Sequence, residues 1–425
     1  MKIVHFSTFD IEGGAGGAAY QLHKSFSQEG LDSLMLVKYK KSKDDSVVMI
    51  GNSIFKSKLW QKIKRNKFTY FIFNKFFVLS KKLNKENVFI KFNKNKSPIL
   101  IKQISEYLKE VDIICLHWID DFLSTEIIRK IQEVSKAPII WILQDIEPLT
   151  GGCHYTNGCE KFKHSCGNCP QLKTNTENDL SRIIWKQKEK NLGLLNITFI
   201  APSSWVYKRI KESSLFKNNP IEKILLSVDT EVFKKEDKII IRKKLNLPID
   251  KIIIFFGAQN FNEKRKGMDL FLKSLNQLRI KIIEKNPDFL ESILLVSAGR
   301  DIENLDKYFK HKHLGWLNTP SELANIFQAA DVFVCPSIED AGPVMINQSI
   351  TCATPVVSFN IGVASDLITS PDRGYIVKNY DTQEFCDSIY KVIFNENQST
   401  IDRRCLECHP NTVINKYKKL FKKYE

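Results

Sequence analysis

The stretch that decides the fold is DVFVCPSIEDAGPVMINQSITCATPVVSF (331–359). A short apolar strand ends at residues 335–337, and an acidic pair, Glu339 and Asp340, follows at once. A helical run and a second apolar strand complete the stretch. A strand–helix–strand unit of this kind is typical of a parallel sheet with helices on its faces.

The same alternation occurs along the rest of the chain and predicts an α/β protein with two tandem doubly wound Rossmann-like domains facing across a cleft. In open sheets of this class, ligands bind at the carboxyl ends of the strands. We expect an N-terminal domain over 1–218, a C-terminal domain over 219–400, and a last helix within 401–425 that packs back on the N-terminal domain. The strands are predicted at 2–8, 33–39, 111–118, 137–145, 196–205, 251–259, 292–299, 331–337 and 354–359.

The composition is typical of a globular protein with two cores. The chain has 425 residues, and 43% of them are hydrophobic, which suits two domains of about 200 residues each. The ten cysteines are scattered rather than arranged as a secreted disulfide framework. The start, MKIVHFSTFD, has no apolar signal core, and no apolar run approaches the ~18 residues that a membrane span needs. We therefore expect a cytoplasmic protein.

The net charge of +16 is concentrated in the basic aromatic insert, residues 51–100. This segment has thirteen Lys or Arg residues and one acid, Glu86. Three interpretations remain open: a solvated basic helix pair with aromatic residues in the core, a surface for anionic lipid at the inner face of the plasma membrane, or a nucleic-acid surface. No nucleic-acid module accompanies the charge, so we expect no nucleic-acid partner.

Glycines follow the first predicted strand and precede a helix, with Gly14 and Gly16 at the centre of the loop. Such a loop lets backbone N–H groups approach a phosphate or a sugar; a tight turn with close helix packing is the alternative. The second strand ends in Lys38-Tyr39-Lys40. No acid is therefore present there to hold a ribose, which disfavours a nicotinamide oxidoreductase.

Two further groups of polar residues follow strands of the C-terminal domain. Arg265 and Lys266 precede a helix, where cations favour phosphate binding over helix stability; a solvated basic turn is the alternative. The carboxylates of Glu339 and Asp340 suit sugar hydroxyls, and the amide of Gln348 suits a ribose. A capping acid and a surface glutamine are the alternative for this second group.

Taken together, these motifs resemble the retaining glycosyltransferases of the GT-B fold, in the large family 4. The resemblance runs in family order over nearly the whole chain. It rests on GGAGGAA, APSSW, DTEVF (229–233), KRKG (264–267), LGWL (314–317), AADVFVCPS (329–337) and EDAGPVMINQSITCATPVVSF. Within that family, TGGCHYTNGCEKFKHSCGNCPQL (150–172) resembles a bacterial subgroup that builds capsular, exopolysaccharide or O-antigen repeat units.

The resemblance implies a nucleotide-sugar donor, a saccharide or lipid-linked saccharide acceptor, and no cofactor for catalysis. Arg265 and Lys266 would neutralise the donor diphosphate, and Gln348 would hold the ribose. The implied donor-binding residues are Gly14, Gly16, Arg265, Lys266, Trp316, Leu317, Glu339, Asp340, Gly342, Pro343 and Gln348.

The sequence departs from the family pattern at three places. Gln348 replaces the second carboxylate of an acid-x7-acid pair, Ala258-Gln259 stand where an arginine often lies, and Gln144 stands where a histidine commonly ends its strand. We name Asp145, His117, Glu339 and Asp340 as catalytic candidates. Gln144 and His154 are the candidates for the acceptor side.

Four cysteines fall close together in the Cys-rich loop, residues 150–171. The last pair has the C-x2-C spacing of a zinc knuckle, whereas the other spacings are looser. A structural zinc site, a loop of reduced thiols and a redox disulfide remain the alternatives. A zinc ion with four protein ligands would brace the loop without taking part in chemistry. The residues are Cys153, Cys159, Cys166 and Cys169.

The sequence therefore predicts a metal-independent glycosyltransferase of the hexosyltransferase type. One rival is another GT-B enzyme, such as an epimerase or a phosphorylase, although no motif for a pyridoxal-phosphate lysine is present. The other rival is a non-catalytic binding protein for a nucleotide sugar or a glycan that kept the fold.

Overall fold

The computed structural model describes residues 1–50, 97, 99–300, 302–394 and 405–424. Most of the basic aromatic insert (51–100) lies outside the described residues, so the interpretations of this segment stay predictions. Within the described ranges, no helix combines the length and the apolar character needed to cross a membrane.

The first half of the chain forms a seven-stranded sheet in the order β3-β2-β1-β4-β5-β6-β7. Its strands are β1 (Lys2–Phe9), β2 (Asp32–Tyr39), β3 (Val47–Met49), β4 (Ile113–Leu116), β5 (Ile139–Ile142), β6 (Ile197–Ala201) and β7 (Ile221–Lys223). The helices are α1 (Gly13–Gln28), α2 (Thr125–Ser135), α3 (Leu180–Leu192) and α4 (Ser204–Glu212).

The second half forms a six-stranded sheet in the order β10-β9-β8-β11-β12-β13. Its strands are β8 (Ile252–Ala258), β9 (Ile293–Gly299), β10 (Lys310–His313), β11 (Val332–Cys335), β12 (Val356–Phe359) and β13 (Gly374–Val377). The helices are α5 (Lys238–Lys244), α6 (Met268–Lys285), α7 (Pro320–Ala329), α8 (Val344–Thr351), α9 (Ala364–Leu367), α10 (Thr382–Ile393) and α11 (Pro410–Phe421).

The central strands of both sheets are apolar because helices cover both of their faces. Strands β4, β5, β11 and β12 are buried at every position, as expected for parallel strands in the middle of a doubly wound sheet. Side-chain caps set the starts of several helices. Ser124 accepts a hydrogen bond from Ile127 N at the start of α2, and Thr319 forms a capping box with Glu322 at the start of α7.

The chain divides into two compact units, one around each sheet. The first is Met1–Ile200 with Arg209–Ile221, and the second is Ala201–Lys208 with Glu222–Glu425. The predicted boundary at 218/219 lies close to Ile221, the last residue of the first unit. The packing of the last helix on the N-terminal domain stays a prediction.

Each sheet has a point where the strand order reverses. This point lies between β1 and β4 in the first sheet and between β8 and β11 in the second. Connections leave such neighbouring strands toward opposite faces, which opens a crevice at their carboxyl ends. Polar side chains after these four strands are therefore the candidates for a ligand site.

Candidate functional site

The KRKG turn (264–267) follows β8 and is pressed against the loop that follows β11. A 3-10 turn over Lys264–Lys266 ends at Gly267, whose φ is 65°. A Cβ at this position would lie 1.9 Å from the carbonyl oxygen of Pro336. The backbone N–H of Ile338 also donates to the carbonyl of Arg265 over 2.8 Å. Only glycine permits both the left-handed turn and this close approach.

This approach brings two of the three cations of the turn onto one carboxylate. Asp340 Oδ2 lies 3.0 Å from Arg265 Nη1 and 2.8 Å from Lys266 Nζ. Arg265 Nη2 also lies 2.9 Å from Glu263 Oε2. Burial alone would raise the pKa of Asp340, but Lys266 and Arg265 outweigh it and hold that pKa below its ordinary value. The structure thus brings the three predicted residues together, with the carboxylate of Asp340 directed to the cations.

A cavity of about 30 Å³ lies at the same strand ends. Its wall includes Gly257 and Ala258 at the end of β8, Lys266 of the turn, and Ser337 and Pro343 after β11. The ammonium group of Lys266 therefore takes part in both the ion pair with Asp340 and the wall of the cavity.

Gln348 lies on α8 and has an unusual environment. Its side-chain Oε1 is buried and has no hydrogen-bond partner among the residues that the structure describes. A buried acceptor without a partner is rare and costs free energy, so a hydroxyl donor from a ligand would satisfy it. Pro343 precedes α8 as its extended N-cap residue.

The other predicted donor-binding residues of this unit differ in exposure. Glu339 is buried, at 9% exposure, and Trp316 is 59% exposed. Leu317 packs against the core of the second sheet. Gly342 lies in the loop before α8. Gly362 packs against this loop, and a Cβ on Gly362 would lie 2.6 Å from Pro343 Cδ.

In the first unit, the predicted glycine loop is part of a helix, which corrects the sequence interpretation. Helix α1 begins at Gly13 and includes Gly14 and Gly16. A Cβ at Gly16 would lie 3.0 Å from the carbonyl oxygen of Asp10 and 3.1 Å from Phe9 Cβ. The absence of a side chain at Gly16 lets the first turn of the helix pack against the end of β1.

Gln144 follows β5 and contacts the first turn of α1. Its Nε2 donates to the carbonyl oxygen of Ala15 over 2.9 Å. Its Oε1 is buried and has no partner within the described ranges. The two glutamines that depart from the family pattern thus share one property, a buried amide oxygen that remains open as an acceptor.

Both carboxylate oxygens of Asp145, the next residue, have hydrogen-bond partners. Its Oδ2 accepts from Trp118 Nε1 over 2.7 Å and lies 2.6 Å from His154 Nδ1, and its Oδ1 accepts from Glu147 N over 3.0 Å. Burial would raise the pKa of Asp145, but His154 and these donors outweigh it and lower the pKa. A carboxylate this well satisfied is suited to orienting its neighbours and is a weak proton acceptor.

His154 lies between two carboxylates. Its Nδ1 contacts Asp145, and its Nε2 lies 3.5 Å from Asp120 Oδ2. Burial opposes the charged form, but Asp145 and Asp120 prevail and raise the pKa of His154 to about 10. The ring is therefore an imidazolium at neutral pH. Asp120 was missed by the sequence analysis, although an acid four residues past β4 could have been a signal.

His117 is placed in the interior, which argues against its predicted catalytic role. It is 2% exposed, and its Nε2 lies 2.9 Å from His5 Nδ1 with the two rings stacked. Burial, with the nearby His23, lowers the pKa of His117 to about 3. The ring is neutral and belongs to a core pair rather than to an open site.

The four cysteines of the Cys-rich loop line one small cavity. Lys188 on α3 contacts the start of this loop and was not predicted from the sequence. This lysine is 4% exposed, and its Nζ lies 2.6 Å from Glu147 Oε1 and 3.0 Å from the carbonyl of Thr150. Its position in an otherwise amphipathic helix gave no sign of this role.

Part of the chain matches a protein-family model and is similar in sequence to curated glycosyltransferases. Residues 237–404 match the family model described as glycosyl transferases group 1. The D-inositol 3-phosphate glycosyltransferase of Stackebrandtia nassauensis is 25% identical over 179 residues, which cover 39% of this chain and 39% of that protein. The putative colanic acid biosynthesis glycosyl transferase WcaC of Escherichia coli is 24% identical over 216 residues, covering 48% of this chain and 50% of that protein.

The fold comparison covers the whole chain. The crystal structure of HepE from Anabaena in complex with UDP-glucose has a TM-score of 0.65 at 13% identity and covers 100% of both chains. By sequence, the chain spans about two fifths to half of the length of the curated relatives it matches. The predicted fold class is confirmed: residues 237–404 match the group 1 glycosyl transferases, and the chain has the GT-B fold.

Proposed function

We propose that this protein is a retaining glycosyltransferase that moves a sugar from a nucleotide-sugar donor to a saccharide or lipid-linked saccharide acceptor. The observation that carries the proposal is the cluster of Arg265, Lys266 and Asp340 at the strand-order reversal between β8 and β11. The cluster lies inside the segment that matches the group 1 glycosyl transferases, at the place where doubly wound sheets bind their ligands.

In this proposal, the two cations bind the diphosphate of the donor. When the bond to the sugar breaks, negative charge develops on the diphosphate, and fixed cations stabilise it without reorganisation. Asp340 then exchanges its contacts with the cations for the donor sugar. The resident ion pairs keep Arg265 and Lys266 in place before the donor arrives.

Gln348 and Trp316 would hold the nucleoside. The open Oε1 of Gln348 accepts a hydrogen bond from a ribose hydroxyl. The exposed indole of Trp316 borders the base. In the first unit, the open amide oxygen of Gln144 would accept a hydrogen bond from a hydroxyl of the sugar acceptor, and Asp145 orients His154 nearby.

The acceptor class is supported by one relative and by the Cys-rich loop. WcaC, by its name, is a putative transferase of colanic acid biosynthesis. The Cys-rich loop also resembles the subgroup that builds cell-surface repeat units. We therefore propose a role in cell-surface polysaccharide biosynthesis.

The basic aromatic insert (51–100), with its thirteen cations, supports attachment of a cytoplasmic protein to the anionic inner face of the plasma membrane. Binding to vesicles with anionic lipid should weaken as salt rises, because the attraction is electrostatic. Binding that is absent, or that is insensitive to salt, would contradict this part of the proposal.

The first experiment is a screen of UDP-, GDP- and dTDP-sugars by thermal shift and by slow hydrolysis of the donor. We expect one sugar nucleotide to raise the melting temperature and to release its nucleotide slowly. Stabilisation by a sugar nucleotide, with no release of nucleotide in the presence or absence of saccharide acceptors, would contradict catalysis. No stabilisation by any member of the panel would contradict the donor site.

The second candidate function is a non-catalytic binding protein for a nucleotide sugar or a glycan. The amides Gln144 and Gln348, which stand where the family has ionisable groups, favour it. Tight binding without turnover is the result that this alternative predicts.

A further inference from the structure

The Cys-rich loop (150–171) contains a cluster that the proposed transfer reaction does not use. Four cysteines line one cavity of about 20 Å³, which is close to the ~10–15 Å³ that a single bound water needs. All four are free thiols. A cavity of this size, surrounded by sulfur, suits a single ion. The four residues are Cys153, Cys159, Cys166 and Cys169.

The four thiols line one cavity from separate parts of the loop. In the described part of the chain, no three Cys, His, Asp or Glu side chains already stand at metal-binding spacing. Rotation of the side chains toward the cavity would therefore be needed to reach the ~2.3 Å zinc–sulfur distance.

Backbone N–H groups already point at two of the sulfurs. Gly151 N donates to Cys166 Sγ over 3.2 Å. The sulfur of Cys169 accepts from the N–H groups of Gln171 and Leu172. Such donors supply the outer hydrogen bonds that orient metal ligands.

The backbone of the C-x2-C pair is curled toward the cavity. Cys166, Gly167 and Asn168 have φ values of 57°, 91° and 46°, all left-handed. A Cβ at Gly167 would lie 2.3 Å from the carbonyl of Glu177, so only glycine fits. Two of these residues, Cys166 and Asn168, are not glycine, so their left-handed backbone is strained.

The loop has little regular secondary structure, with 3-10 turns over Lys161–Lys163 and Pro170–Leu172. Side chains of α3 hold part of its backbone, since Arg182 Nη2 donates to the carbonyl of Cys166 over 2.8 Å and Lys188 Nζ donates to that of Thr150 over 3.0 Å. His154 is not a candidate ligand, because its two ring nitrogens face Asp145 and Asp120.

We propose that Cys153, Cys159, Cys166 and Cys169 bind one structural Zn²⁺ ion as four thiolates in tetrahedral geometry. The four thiol protons are released to solvent on binding. Four protein ligands leave no open position, so the ion braces the loop and takes no part in sugar transfer. The brace includes Cys153, the neighbour of His154, and so supports the wall beside Asp145.

The test is metal analysis of the full chain purified from zinc-supplemented cells without chelators. We expect about one zinc ion per chain. The variants Cys166→Ser and Cys169→Ser should lose most of it, whereas Cys386→Ala, which removes a buried cysteine on α10, should keep it. Co²⁺ in place of Zn²⁺ should give thiolate-to-metal charge-transfer absorption in the near ultraviolet.

A measurement on the unchanged protein covers the case in which the variants fail to fold. Alkylation of the four loop cysteines, followed by mass spectrometry, should accelerate at least about tenfold after a strong chelator is added. Absence of zinc, retention of zinc in both Ser variants, an unchanged alkylation rate, or disulfides between the loop cysteines would each overturn the proposal.

Discussion

Asp340 contacts two cations of the KRKG turn, Arg265 over 3.0 Å and Lys266 over 2.8 Å. A buried carboxylate paired with two cations restricts their reorientation. If the turn binds a diphosphate, the donor competes with Asp340 for these contacts. Individual residues of the site can therefore be tested by their effect on donor affinity.

Replacement of Lys266 by Ala should weaken binding of a nucleotide diphosphate about ten- to hundredfold, since a charge-assisted hydrogen bond contributes about 1.5–3 kcal/mol. Isothermal titration calorimetry with UDP or GDP measures this directly. Lys264→Ala is the matched control, because Lys264 lies in the same turn but is exposed. Equal losses in the two variants would remove Lys266 from the diphosphate site.

Replacement of Gln348 by Glu should be tolerated and should keep or tighten donor binding, because a carboxylate accepts ribose hydroxyls more strongly than an amide does. Gln348→Leu has a similar size but no acceptor, and it should weaken binding by about tenfold. The measurement is the donor affinity of the unchanged protein and of the two variants. If Glu abolishes binding and Leu does not, the amide has a different role.

At the scale of an element, the KRKG turn depends on one glycine. Gly267 combines a φ of 65° with a position where a Cβ would meet the carbonyl of Pro336 at 1.9 Å. This contact sets the distance between the turn after β8 and the loop after β11, and hence the ion pairs of Arg265 and Lys266 with Asp340.

Gly267→Ala should therefore lower both stability and donor affinity. Gly30→Ala is the matched control, since Gly30 has a φ of 77° but open space around its Cβ position. We expect about 1–2 kcal/mol from the left-handed backbone in both variants and a clearly larger loss in Gly267→Ala. Denaturant unfolding and nucleotide titration compare them. Similar losses of stability and of donor affinity in the two variants would mean that the loop after β11 moves away from the added Cβ at little cost.

At the scale of the whole molecule, three buried histidines control the response to acid. Burial, with the neighbouring rings, keeps the pKa of His5 well below 6.5 and that of His117 at about 3. Burial lowers the pKa of His23 to about 4; Asp44 partly opposes this shift and Lys24 adds to it. These rings are neutral in the folded protein at a pH where the unfolded chain binds protons.

The unfolded state takes up these protons first as pH falls below about 6.5, so the folded state loses stability over the range from 6.5 to about 4. Each ring should contribute up to about 1.4 kcal/mol per pH unit. Urea unfolding at pH 7, 6 and 5 measures the slope. His23→Gln should make it shallower; an identical slope in this variant would show that His23 does not titrate as described.

The sequence by itself determined the alternation of strands and helices, because apolar runs with polar ends are a local pattern. Strands at 2–8 and 251–259 were predicted almost to the residue. The presence of Arg265, Lys266 and Asp340 after strands, and of Gln348 on the following helix, was equally readable. Short edge strands such as β3 (Val47–Met49) and β10 (Lys310–His313) were missed, since little in their side chains marks them as strands.

Only the tertiary structure decided which side chains meet. Strand order places β8 beside β11, so that Lys266 contacts Asp340, 74 positions along the chain. The same kind of long-range pairing joins His117 to His5 in the core and leaves His154 between Asp120 and Asp145. Burial and charge pairing depend on neighbours that are distant in sequence. For this reason, two histidines that look alike in the sequence became a neutral core residue and a buried cation.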